Sequence, residues 1–138
     1  MITMNADIVV VGGGPAGLAA ALRARALGAE KVMIIERDQQ LGGILQQCIH
    51  DGFGLQRFGK RLSGTQYAQN FIDEVEKTDI TVKLDTMVLE ITGDKVLYAC
   101  NRQDGMLKIQ AGAIILTMGC RERTASQVFI DGDRPTGV

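Results

Sequence analysis

Apolar residues follow three different rhythms along this chain, and each rhythm predicts a different element. Ile8, Val9, Val10 and Val11 are consecutive and β-branched, the pattern of a strand covered on both faces. Behind them the chain is rich in alanine and leucine, which predicts a helix with Pro15 in its first turn and Gly28 as the residue just past its end. Val32-Met33-Ile34-Ile35 is a second continuous apolar run and ends at Glu36. From Thr65 onward, Tyr67, Ala68, Phe71, Ile72 and Val75 recur at helical spacing, with Ser63 or Thr65 as N-cap, predicting a second helix to about Thr78. Ile80, Val82 and Leu84 then alternate. They predict a third strand, which a right-handed crossover would set beside the first.

Met87–Ile91, Lys95–Cys100 and Met106–Ile109 are short strand candidates separated by Gly93-Asp94 and Asp104-Gly105, both hairpin signals, so a three-stranded antiparallel meander is expected. Ala113-Ile114-Ile115-Leu116-Thr117 is apolar enough to re-enter the parallel sheet as a central strand, stopping at Met118-Gly119. Gln47 to Leu55 shows no clean period and is expected to be irregular, apart from a short helix over 43–48. After Gly119 the chain is polar and irregular, and no repeat or low-complexity segment occurs. The expected fold is α/β: a parallel sheet of about four strands with flanking helices and the meander on one face.

The first strand runs straight into Gly12-Gly13-Gly14-Pro15-Ala16-Gly17, a G-x-G-x-x-G between strand and helix. Gly12 permits the tight turn, Gly14 lets backbone approach a diphosphate without a Cβ in the way, and Gly17 brings the helix close to the strand. The free N–H groups at the helix start then face the anion. Glu36, about twenty residues past Gly17, stands where a carboxylate accepts hydrogen bonds from a ribose 2′-OH and would repel a 2′-phosphate. An adenine dinucleotide lacking that phosphate is implied. A glycine loop that merely turns a strand into a helix would not need Gly28 and Glu36 in register as well.

Composition narrows the remaining classes. The 138 residues suit one domain, and 15 basic against 16 acidic side chains, with no strong run of either sign, give no electrostatic reason to expect nucleic acid or an anionic membrane. No run of eighteen apolar residues or signal-peptide pattern is present, so a cytoplasmic location is expected. The 3 cysteines, Cys48, Cys100 and Cys120, are scattered, and the lone histidine is His50. That pattern indicates neither a disulfide framework nor a metal site, and no His-based triad with Ser63 or Ser126.

This order of parts resembles the FAD-binding domain of the two-dinucleotide-fold flavoproteins, the glutathione reductase and thioredoxin reductase superfamily. The likeness rests on Gly12-x-Gly14-x-x-Gly17-x-x-x-Ala21 with Gly28 and Glu36, on the Gly42-Gly43 doublet, and on Ile114 to Gly119, which is similar to that family's "ATG" motif. The resemblance implies that FAD is the cofactor. It places Gly12, Gly14, Pro15, Ala16, Gly17, Glu36, Arg37, Gly42 and Gly43 along the ADP moiety, the Val88 backbone at adenine, and Thr117, Met118 and Gly119 toward the flavin. An NAD-binding dehydrogenase domain is the alternative, but such domains do not usually insert a meander between third and fourth strands. A second alternative is a non-catalytic nucleotide-binding subunit of a larger complex.

Cys48-Ile49-His50-Asp51-Gly52-Phe53-Gly54 and Met118 to Arg123 look like a bacterial branch of FAD-dependent oxidoreductases associated with glycerol-3-phosphate or amino-acid dehydrogenases. The family's redox C-x-x-x-x-C is missing, since Cys48 has no cysteine at that spacing. The family also continues into an NAD(P)H-binding domain and a returning flavin-binding segment. The 138 residues are therefore expected to be the N-terminal part of a longer chain, inactive in hydride transfer alone. Catalytic residues stay unassigned. Cys48 fits a small buried hydrophobe, the commoner role, or a nucleophile or flavin neighbour, His50-Asp51 fits a turn or a proton donor near the flavin, Arg121 and Arg123 fit a phosphate clamp, a docking contact for a further domain or a solvated turn, and Tyr67 and Phe71 fit the core.

Overall fold

The computed structural model describes residues 1–120, 123–129 and 132. Strand β1 (Ile2–Val11) leads into helix α1 (Pro15–Ala26) and strand β2 (Val32–Ile35). A short 3-10 turn (Gly43–Gln47), strand β3 (Asp51–Phe53), the one-turn helix α2 (Leu55–Phe58) and strand β4 (Leu62–Ser63) follow. Helix α3 (Gly64–Glu76), strand β5 (Thr81–Lys83), and strands β6 (Met87–Ile91), β7 (Val96–Asn101) and β8 (Gly105–Leu116) complete the domain, with a 3-10 turn at Ala125–Val128. The sheet has six strands in the order β5-β2-β1-β8-β7-β6, and β3 pairs with β4 in a separate two-stranded ribbon.

The continuous apolar runs are continuous because they serve two cores. Val9 and Val11 of β1, with Met33 and Ile35 of β2, face one core; Val10, with Val32 and Ile34, faces the other. The second core is closed by the inner faces of the two longer helices, Leu18 and Ala21 of α1 and Phe71 and Val75 of α3. Leu97, Ala99, Leu107 and Ile109 of the meander are fully buried against the first. Each large side chain so buried contributes about 1.5–3 kcal/mol. Helix α1 ends at Leu27 and Gly28, whose φ of 100° is the left-handed value expected past a helix end. Ser63 caps α3, accepting from the Gln66 N–H while the Gln66 side chain accepts from the Ser63 N–H, a reciprocal pair that settles the choice between Ser63 and Thr65.

Three expectations are corrected. The third parallel strand, β5, pairs with β2 and not with β1, because β8 already occupies the other side of β1. The segment after Gln47 is not wholly irregular: β3, α2 and β4 lie in it, too short for any periodicity to show. Met106–Ile109 and Ala113–Leu116 are not two strands but one, β8, which pairs antiparallel with β7 in its first half and parallel with β1 throughout. The end of β8 is open to solvent at Leu116, which is 55% exposed.

The apolar pattern suggests two strands there for a physical reason. Leu107, Ile109 and Ala111 face the first core, but beyond Gly112 it is Ile114 that packs on it and Ile115 that turns to the second. The inward set therefore changes parity at Gly112. Opposite it, β1 does the same, with Met4 and Ala6 inward before Asp7 and Val9 and Val11 after. Both strands bend together at Asp7 and Gly112, where a Cβ on Gly112 would stand 2.7 Å from the Asp7 carbonyl oxygen. This shared bend lets one strand belong to both the parallel layer and the meander.

Candidate dinucleotide site

The glycine turn after β1 is held from three sides. Its floor is the end of β8: the Thr117 N–H donates to the Val11 carbonyl at 2.9 Å, and the Thr117 hydroxyl lies 2.9 Å from both the Val11 and Gly12 carbonyl oxygens. The hydroxyl has one proton to share between them. Gly12, at φ 108°, sits so close that a Cβ would run into the Thr117 carbonyl, and a Cβ on Gly17 would collide with the Gly12 carbonyl. These two glycines are required by packing within the protein itself.

Glu36 holds the second side. It is only 6% exposed, and both of its carboxylate oxygens accept from backbone: Oε2 from the Gly13 N–H at 2.6 Å and Oε1 from the Asp38 N–H at 2.9 Å. Each oxygen keeps a further lone pair for a donor from outside. Gly13, the middle glycine, is not singled out by the sequence motif, yet a side chain there would strike Leu41 and stand 3.1 Å from Glu36 Oε2. We expect Glu36→Ala to destabilise the ligand-free protein by about 1.5–3 kcal/mol, the cost of its charged hydrogen bonds to two backbone amides, read from urea unfolding. An unchanged midpoint would remove Glu36 from the framework of the turn.

The third side is the glycine doublet. The Gly42 N–H donates to the Gly13 carbonyl at 2.8 Å, Gly42 and Gly43 both have positive φ, and a Cβ on Gly43 would approach Gly14 Cα to 3.0 Å. Gln46 folds back to donate to the Leu41 carbonyl at 2.8 Å and so fixes the doublet. Beside it Asp38, Gln39, Gln40, Gly43, Gln46 and Gln47 line a polar cavity of about 500 Å³. Apart from Gly43, none of these residues belongs to a motif, although the polar runs flanking the doublet are a visible signal in the sequence.

Gly14 differs from its neighbours. Its φ of −74° is open to any residue, and the nearest atom to a Cβ built there is Gly43 Cα at 3.9 Å. Among the described residues nothing requires glycine at this position. As N-cap of α1 it offers no side-chain oxygen to the first-turn N–H groups, and no acidic residue occupies that turn. A bare backbone at the positive end of a twelve-residue helix is a cradle that fits a diphosphate.

The other sequence candidates distribute as follows. Pro15 and Ala16 stand in the first turn of α1, and Val88 lies on the edge strand β6, two residues after Thr86, whose N–H donates to the Glu36 carbonyl at 2.9 Å. Arg37 points outward, 70% exposed and 4.0 Å from the Asp38 carboxylate. Met118 and Gly119 extend past the end of β8, both exposed. Cys48 is half-buried, its Sγ 3.4 Å from the Ile44 carbonyl, and packs against Gly64. His50 is exposed and stacks on Phe53 at 5.3 Å; Tyr67 and Phe71 meet at 5.2 Å in the core beneath α3. Arg123 is exposed, and Arg121 lies outside the described residues. Among the described residues no cluster could hold a metal ion, and no helix is long and apolar enough to cross a membrane.

A mostly parallel sheet, helices on one face, a meander on the other and a glycine turn at a helix start define the Rossmann-like dinucleotide-binding class. The family described as FAD dependent oxidoreductase matches residues 7–132, and the chain belongs to that family, with FAD as its cofactor. It is 30% identical over 124 residues to the hydrogen cyanide synthase subunit HcnB of Pseudomonas protegens, a match covering 88% of this chain and 26% of that protein. The fold is shared with L-proline dehydrogenase from P. horikoshii at a TM-score of 0.72 and 23% identity, over 86% of this chain and 23% of that one. Thioredoxin reductase of Lactococcus lactis matches at 0.64 and 23% identity, over 86% and 37%. The chain thus spans about a quarter of the length of its curated relative.

Proposed function

We propose that this domain grips the ADP half of FAD in a flavin-dependent oxidoreductase. The observation that carries the reading is the glycine at position 14, which packing does not demand, at the uncapped start of α1. In this reading the N–H groups of Ala16 and Gly17, in the first turn that Pro15 opens without an N–H of its own, face the diphosphate, with Gly12 and the Gly42-Gly43 doublet shaping its bed, and the free lone pairs of Glu36 take the adenosine ribose. The Val88 backbone borders adenine, Arg37 stands at the rim, and Thr117-Met118-Gly119 leads toward the flavin. The bound flavin supplies the redox chemistry, while the protein supplies binding, orientation and exclusion of water.

Hydride donors such as NAD(P)H, dehydrogenase partner subunits and the glycerol-3-phosphate or amino-acid branch belong to the same proposal, as does a cytoplasmic location. In this proposal they belong to the full-length enzyme, since the match covers 26% of the curated relative, and hydride transfer is not expected of residues 1–138 alone. Support for partner subunits is that the hydrogen cyanide synthase relative is itself a subunit. The test is a visible spectrum of the purified full-length protein followed by anaerobic reduction with a panel of electron donors. Flavin bands bleached by one donor class support the reading. A spectrum without flavin after reconstitution overturns it, and a flavin that no donor reduces points to a structural cofactor.

A further inference from the structure

The loop that carries Glu36 is tied to a polar cluster on the far side of the sheet end. Its backbone is laced to the segment after β5: the Glu36 N–H donates to the Lys83 carbonyl at 2.8 Å, the Thr86 N–H to the Glu36 carbonyl at 2.9 Å, and the Asp85 N–H to the Asp38 carbonyl at 3.0 Å. Asp85 takes a φ of 48° to make this turn. Thr86 is 1% exposed, its hydroxyl donating to the Leu84 carbonyl at 2.7 Å and accepting from Asn101 Nδ2 at 3.2 Å. Asn101 closes the β7–β8 turn, accepting from the Asp104 N–H at 2.5 Å and donating to Asp104 Oδ2 at 3.0 Å. Lys83 Nζ completes the ring with a 2.8 Å bond to the same oxygen.

We propose that Lys83, Thr86, Asn101 and Asp104 are positioning residues for the dinucleotide site, forming a strut through which the tip of the β7–β8 turn sets the grip on adenosine. The strut ends on the main chain of Glu36, and the Glu36 carboxylate in turn holds the Gly13 N–H. Each of the four side chains is hydrogen-bonded to the next, so loosening one end frees the other. The Asn101 amide and the Lys83 ammonium also hold the Asp104 carboxyl below its ordinary range, keeping it charged. None of the four side chains needs to reach the nucleotide, just as outer partners orient groups that bind directly. This inference rests on the adenosine role of Glu36 proposed above.

The test is a double-mutant cycle on the whole protein stripped of flavin, with ADP as probe and titration calorimetry as readout. Asp104→Ala is expected to weaken ADP by about three- to tenfold. In the Glu36→Ala background the same change should have little further effect, because the loop no longer transmits to Gly13. Asp79→Ala, which breaks the Arg25 pair between α1 and the loop before β5, serves as a stability control and should leave ADP affinity unchanged. If Asp104→Ala does not fold, Asp104→Asn is read instead, since it keeps an acceptor for Asn101 and loses only the charge facing Lys83. Wild-type affinity in the Asp104 variant, or fully additive losses in the cycle, overturns the strut. Wild-type protein that does not bind ADP, or Glu36→Ala that binds it normally, overturns the adenosine reading itself.

Discussion

Gly14→Val is expected to abolish FAD retention while leaving the protein folded. The extended backbone at Gly14 accepts a side chain, and a Cβ there would meet only Gly43 Cα at 3.9 Å, so a valine would fill the approach to the helix start without disturbing the core. A hundredfold loss of affinity corresponds to about 2.8 kcal/mol, well within what a displaced diphosphate forfeits. Gly17→Ala should act in the opposite way. Its Cβ would collide with the Gly12 carbonyl and stand 2.8 Å from Thr117 Oγ1, so it should unfold the turn itself, at a cost on the order of 4 kcal/mol or more. Flavin absorbance per chain after gel filtration, together with a thermal melt, separates the two. Full flavin content in Gly14→Val would mean that the diphosphate lies elsewhere.

Residues 1–138 expressed alone are expected to lose FAD on exhaustive dialysis and to self-associate. The pairing of β7 with β8 stops at Gln110, so from Gly112 to Leu116 that edge of β8 has no strand beside it among the described residues. Ala113 and Leu116 are exposed there, and Met118 beyond them is 68% exposed. An unpaired apolar edge next to the route toward the flavin both invites another strand and leaves half the ligand in water. The expected loss is two or more tenfold steps in affinity, each about 1.4 kcal/mol. A monodisperse monomer that keeps stoichiometric FAD would show that these residues already close the site.

The parts of the fold legible in sequence are those whose residues answer to one environment. β1, α1 and β2 announce themselves because Val9 to Val11 and Val32 to Ile35 are buried on both faces and Gly28 must adopt a positive φ. The cap of α3 is narrowed by residue type to Ser63 or Thr65, and the reciprocal bonds with Gln66 choose Ser63. What cannot be read is relational. The place of β5 beside β2 depends on β8 having taken the other flank, which no local pattern encodes. At the site, Glu36 and the glycines are identifiable by spacing, but not that Glu36 engages Gly13 and Asp38 with its two oxygens, nor that a side chain on Gly13 would press on Leu41 and Glu36. Those facts arise only when the Leu41 loop folds over the turn.

The bend shared by Asp7 and Gly112 makes the two strands a matched pair of rulers. Side chains alternate with a period of two, so adding or deleting one residue in either strand would turn every later side chain to the wrong face. In β8 that would move Ile114 and Ile115 between cores and carry Thr117 away from the Gly12 carbonyl. The β6–β7 turn at Gly93-Asp94, although exposed, is tied to the same strand beside the bend, since Gln110 Nε2 donates to the Asp94 carbonyl at 2.9 Å and the Ala111 N–H to the Lys95 carbonyl at 3.0 Å. Length variation in this domain is therefore confined by geometry: β1 and β8 can change only in step with each other.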